Sequence, residues 1–297
     1  MLKKTFLSLA FVSCLTFSIF ANEIESTSES TSIEAQKYYV AIVIDDFGNG
    51  GSENATLENA KIDKDISAMI ALPIPITGAV IPGQPNAPIH AQLLKEANHG
   101  IIVHMPMEAK KQRSEWNTPY TISSSLGYEE IAERTKAAIE HVGFATGLNN
   151  HTGSAATESK EAMKAVIETV ANQNLLMLDS VTSSKSKIQE VAEELDLNYL
   201  RRDVFLDDGK QSVDFVTKRM KETLKVAKKQ GYAIAIGHVG PSGGMNTVNG
   251  IAGMIDYMQS EGVVFVTIDE LHKILHDGHL HKSDMVNGDN NEIENDL

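Results

Sequence analysis

Cysteine is nearly absent from these 297 residues: the single thiol, Cys14, lies in an N-terminal run that reads as a leader. Without another thiol the chain builds no disulfide, thiolate metal site or cysteine nucleophile, which suits an oxidising compartment. Basic residues are also few, 26 Lys and Arg against 40 Asp and Glu, for a formal net charge of −14. That balance excludes a nucleic-acid binder, because no basic patch could outweigh it in the phosphate field. Beyond the N-terminus no stretch is long and apolar enough to span a bilayer. Aromatic residues make up 6% of the chain. Trp116, Tyr120 and Tyr128 gather before a helical stretch, where they could stack on a ligand or simply pack.

What is present divides the chain into four. Residues 1–21 are expected to be a cleaved signal peptide, with Lys3 and Lys4 as the basic start and 6–20 as the apolar core. Retention as an anchor is the alternative. Removing the two lysines takes the charge from −14 to −16. Residues 22–36 are rich in Ser, Thr and Glu and read as a flexible spacer. The end, 277–297, is an acidic tail, with His276, His279 and His281 close to its start. Residues 37–276 are left as one domain, expected in the periplasm or cell envelope.

Within that domain Tyr39-Val-Ala-Ile-Val-Ile-Asp-Asp-Phe-Gly48 dominates. An apolar, mostly β-branched run entering two carboxylates reads as a buried parallel strand with chemistry at its C-terminal end. Alternation along an extended chain predicts Asp45 and Asp46 on opposite faces. Further strands are expected at 67–72, 78–81, 101–105, 145–148, 175–178, 198–200, 233–236 and 263–268. Helices are expected at 53–61, 87–98, 128–141, 159–173, 185–195, 213–230 and 247–260. Strand alternating with helix predicts a mainly parallel α/β sheet, and seven or eight units favour a barrel.

Polar residues break out of these runs at their C-terminal ends: Asp45, Asp46, His104, Glu108, His151, Asp179, Arg202, Asp203 and His238. Each alone has an ordinary reading, such as a hydrogen-bonded structural His or an Asp that caps the next helix. Gly240 to Gly244 could cradle a phosphate but lacks the Lys of a nucleotide loop. Together, a carboxylate with two or three His at one end of a sheet is the donor set of zinc or a similar divalent cation.

The ordered blocks Ile42-Val-Ile-Asp-Asp-Phe-Gly48, Pro73-Ile-Pro-Ile-Thr77, His104-Met-Pro-Met-Glu108, Gly147-Leu-Asn-Asn-His-Thr-Gly-Ser154, Leu178-Asp-Ser180, Arg202-Asp-Val-Phe-Leu-Asp207 and Ile234-Ala-Ile-Gly-His238 resemble the divergent branch of the polysaccharide deacetylase superfamily. The resemblance implies a distorted (β/α) barrel and a metal-dependent hydrolase removing acetyl groups from amino sugars of a polysaccharide. It implies Asp45 as general base, Asp46 and His104 as metal ligands, and His238 as general acid. The second His of the usual pair is replaced by Glu108, and the usual Arg motif by Asn149-Asn150-His151. His151 is therefore expected to complete the metal shell, with Glu108 as a further ligand or, like Asn150, as support. Arg202 is expected to orient Asp45, and Asp179 or Asp203 to orient His238. The alternatives are a metal-dependent esterase and a non-catalytic envelope protein that binds glycan or a protein partner.

Overall fold

The computed structural model describes residues 36–49, 63–111 and 118–276. In chain order the elements are β1 (Tyr38–Phe47), α1 (Lys64–Ile70), β2 (Thr77–Val80), α2 (Ala87–Glu96), β3 (Gly100–Met107), α3 (Tyr128–Val142), β4 (Gly147–Thr152), α4 (Lys160–Asn172) and β5 (Leu176–Asp179). They continue with α5 (Ile188–Glu194), β6 (Tyr199–Arg201), β7 (Val204–Phe205), α6 (Val213–Gln230), β8 (Tyr232–His238), α7 (Met245–Ala252), α8 (Ile255–Ser260), β9 (Val263–Val266) and α9 (Ile268–His276). The predicted leader, nearly all of the spacer, the helix at 53–61, Trp116 and the tail lie outside the described residues.

The strands run parallel in the order β6-β5-β4-β3-β2-β1-β8-β7. The two ends of that order, β6 and β7, are consecutive in the chain. Segment 199–205 pairs first with β5 and then with β8, so it closes a distorted (β/α) barrel by changing neighbours midway. β9 pairs with β1 over Tyr38–Ala41, on the edge that β2 takes over from Val43.

Strand parity separates two cores. Val40, Ile42, Ile44, Val103, Leu148 and Ala235 face outward and pack under the helices. Ala41, Val43, Ile102, Leu176, Leu178, Ile234 and Ile236 face inward and fill the barrel, closed below by Ile268 and Leu271 from α9. Each Val, Ile or Leu among them contributes roughly 1.5–3 kcal/mol when fully buried, so a slip of one residue, which would swap the faces, is strongly opposed. The next inward positions on these strands are the polar ones: 45, 104, 149, 180 and 238. The barrel's top layer is therefore chemical where its lower layers are apolar.

Three element expectations fail. Residues 67–72 belong to helix α1 and its exit; Ala, Met and Leu favour helix there, and Ile66 and Met69 are buried at helical spacing. The helix expected over 247–260 is two, α7 and α8, divided at Gly253 and Met254. The strand expected to reach residue 268 stops at Val266, because Thr267 and Glu270 start α9 with a capping box: Thr267 N donates to Glu270 Oε2 at 2.8 Å.

Candidate metal and catalytic site

Asp46 has φ 71, and the register of β1 against β2 shifts between Ile44 and Phe47. This left-handed bulge breaks the alternation expected of the Asp pair. Both carboxylates turn to the same imidazole: His104 Nε2 lies 3.5 Å from Asp45 Oδ2 and 3.6 Å from Asp46 Oδ1. Asn49 and the turn beyond support the bulge, with Asn49 Nδ2 donating to the Asp46 carbonyl at 3.2 Å and Gly48 N donating to buried His90 Nδ1 at 2.8 Å. Gly48 sits at φ 98, where a side chain would be strained.

His151 brings a third donor. Its Nδ1 is 3.0 Å from His104 Nε2 and 3.3 Å from Asp46 Oδ1. Among the described residues no other group of three His, Cys, Asp or Glu side chains converges in this way. The tautomer of His104 follows from Asn149. The Asn149 amide nitrogen donates to Asp45 Oδ1 at 2.9 Å and to Ser180 Oγ at 3.1 Å, so its oxygen faces His104 Nδ1 at 2.8 Å as the acceptor. Nδ1 of His104 thus carries the hydrogen and Nε2 presents a lone pair.

These atoms fit a divalent cation. Asp46 Oδ1 is buried and accepts no hydrogen bond, an orphan that carboxylates rarely leave. The triangle of 3.0, 3.3 and 3.6 Å brackets the roughly 3.3–3.4 Å between donors around a tetrahedral zinc at about 2.0–2.1 Å. Electrostatics agree. Burial pushes the Asp46 carboxyl up, but His151 and His104 beside it outweigh this and hold it well below the usual range. Burial, with His151 adjacent, lowers His104 to about 3, which keeps its lone pair free. Burial raises Asp45 to about 7 against the pull of His238 and Asn149.

His238 is the register partner of Asp45 on the neighbouring strand. Its Nδ1 lies 2.7 Å from Asp207 Oδ1, while Asp207 Oδ2 accepts from His238 N at 2.8 Å and from Thr247 Oγ1 at 2.6 Å. Burial opposes the charged imidazole, yet the bond and charge of Asp207 raise His238 to about 9. The fit depends on Gly243, where a Cβ would stand 2.3 Å from both Asp207 Oδ2 and Thr247 Oγ1.

Four expected supporting roles are corrected. Glu108 turns away to accept from Ser123 Oγ at 2.8 Å and from Ser124 N and Oγ at 3.0 Å each, and takes no place among the three donors. Arg202 does not orient Asp45: it bonds the carbonyls of Ser180 and Val181, and Asn149 holds Asp45 instead. Asp179 accepts from Val181 N at 2.7 Å and Asp203 from Ile234 N at 2.8 Å, so both brace backbone rather than His238. Asn150 supports the site through Ser180 N, which donates to its Oδ1 at 2.9 Å. Sequence reasoning missed Asn149 and Asp207. Asn149 was visible as the inward position two before His151, and Asp207 as the last carboxylate of the 202–207 block.

The donors line a cavity of about 730 Å³ at the C-terminal ends of the strands, shared with Arg202, Phe205, Asp208, His238 and Ser242. That volume is in the range of small-molecule sites, roughly 300–1,000 Å³. A second cavity of about 490 Å³ opens at the other end of β4 and β5, with mostly apolar walls and no converging donors.

A family model described as divergent polysaccharide deacetylase matches residues 42–272. The uncharacterised Escherichia coli protein YibQ is 32% identical over 205 residues, 68% of this chain and 59% of that protein, so the chain spans under two thirds of that relative. An uncharacterised Haemophilus influenzae protein is 33% identical over 217 residues, 73% of this chain and 72% of its own length. The crystal structure of an uncharacterised Agrobacterium tumefaciens protein superposes with a TM-score of 0.70 at 18% identity, covering 80% of this chain and 90% of that one.

Proposed function

The chain belongs to the divergent polysaccharide deacetylase family, and on that premise we propose that it is an exported, zinc-dependent deacetylase. Its substrate is an N-acetylated amino sugar of a cell-envelope polysaccharide. The observation that carries this reading is that one cavity is lined both by the Asp46, His104 and His151 triangle and by His238, which Asp207 backs from behind. Glu108 stands where a second His is usual, and His151 supplies the missing imidazole from the next strand.

Asp46, His104 and His151 would hold the ion. When bound, it polarises the acetyl carbonyl and acidifies a water. Asp45, fixed by Asn149, takes that water's proton as the oxygen adds to the carbonyl carbon. His238, kept protonated by Asp207, delivers a proton to the amide nitrogen as the C–N bond breaks. Acetate and a free amine leave.

Metal analysis and acetate release from N-acetylglucosamine oligomers test the reading. Asp45→Asn and His238→Ala should retain stoichiometric zinc and lose on the order of 10²–10⁴-fold in turnover. Wild-type rates in both variants, or a purified chain that takes up no metal, would sink it.

A further inference from the structure

Besides the histidines, one basic side chain lines the cavity among the described residues, and the chemistry above does not use it. Arg202 follows β6, where the closing strand changes neighbours. Its Nε donates to the Ser180 carbonyl at 2.8 Å and its Nη2 to the Val181 carbonyl at 3.3 Å. The guanidinium lies over the Phe205 ring, 3.7 Å from the centroid, and Phe205 in turn stacks with His238. A guanidinium has five N–H groups in a rigid fork. The two bonds and the ring fix its plane, and the remaining N–H groups, those on Nη1 included, meet no protein acceptor among the described residues. No carboxylate there comes within ion-pair distance of it. Asp179 and Asp208 favour the charge only from beyond contact distance, so a half-buried cation with no carboxylate bonded to it is left for a ligand to pair with.

The turn that grips Arg202 is strained. Val181 has φ 53, a strained outlier for a β-branched residue. By contrast, Asn98, Phe144, Asn174 and Asp196, also left-handed, each follow the end of a helix, where that conformation is routine. Val181 follows strand β5, and Asp179 Oδ1 and Asn150 Oδ1 hold its turn through the amides of Val181 and Ser180. The result is two carbonyls aimed at one guanidinium beside the site.

We propose that Arg202, backed by Phe205, binds a carboxylate on the sugar, so that the substrate is an acidic N-acetylated glycan rather than a neutral one. The planar fork matches a carboxylate in two-point contact. Asp45, Asp46 and Asp208 share the cavity and repel a doubly charged phosphate more than a single carboxylate. The inference rests on the deacetylase reading for the glycan, but its anion preference is a matter of binding alone.

The test is calorimetry on the full, zinc-loaded chain. The probes are an N-acetylated disaccharide with a carboxylate on the acetamido sugar, its methyl ester, and its phosphate-bearing analogue. The acid should bind about ten- to a hundredfold tighter than the ester. Arg202→Met should bind acid and ester alike, and Arg202→Lys should recover little, since an ammonium lacks the fork. Equal binding of acid and ester by the wild type, which needs no variant, overturns the proposal, as does tighter binding of the phosphate. Acetate release from the same ligands separates the two readings. Acid preference without turnover keeps the anion site and overturns the deacetylase, whereas turnover without acid preference does the reverse.

Discussion

The side-chain oxygen of Asn149 lies 2.8 Å from Nδ1 of His104, and the two residues are register partners on adjacent strands. Through its amide nitrogen the same side chain reaches Asp45. One neutral residue thus sets both the lone pair of His104, a proposed metal ligand, and the orientation of Asp45, the proposed base.

Asn149→Ala should therefore weaken zinc about 10–100-fold, the usual effect of removing a group that orients a ligating His. Competition with a chromophoric chelator measures it. Unchanged affinity would mean that strand packing alone aims His104.

Metal should also appear as stability. A ligand that binds only the folded chain adds about 4 kcal/mol at a thousandfold excess over its Kd. Thermal melts with zinc and with a chelator should differ by several degrees in the wild type. His151→Ala should shrink the gap, because a corner of the triangle is gone. A variant with the full gap would remove His151 from the ligand set.

The Asp207–His238 pair predicts the alkaline limb of activity. His238 holds its proton up to about pH 9, so turnover should fall as pH rises through that value. In Asp207→Asn the fall should move toward the ordinary range of about 6.5. The stability effect has the same sign: a raised folded pKa contributes fully below about 6.5 and is lost by about 9. Denaturant midpoints across that window should decline in the wild type more than in the variant, and parallel curves would contradict the pairing.

Gly243→Ala places a methyl group where Asp207 Oδ2, Thr247 Oγ1 and the His238 carbonyl crowd, the last at 2.5 Å. Overpacking of this kind costs roughly 1–3 kcal/mol, a shift of some degrees in Tm for a domain of this size. Turnover should drop while zinc content holds. A variant with wild-type melting and rate would show that the loop relaxes freely.

Much of this was legible in the chain because strand parity is strict. The apolar residues at 41 and 43, 102, and 234 and 236 announce inward positions, and the polar residue two further along each strand is a site residue. Asp46 escaped that rule because a left-handed residue restores to the inner face what alternation sends outward. For the supporting partners the chain offers only charge type, which carries no direction. Arg202, Asp179 and Asp203 have the right charges but spend them on backbone, whereas Asn149 and Asp207 occupy the positions that matter. Residues 67–72 misled because a short apolar run has no period of its own.

β1 takes β9 as a partner along Tyr38–Ala41, and α9 then plugs the barrel floor with Ile268 and Leu271. The earliest strand of the domain is thus completed by the last one made. A chain interrupted between Ala252 and Val263 keeps every proposed site residue yet leaves an open β1 edge and an unsealed interior. Such nascent or clipped species would carry an intact motif set and no sealed barrel, and would be prone to strand-to-strand aggregation.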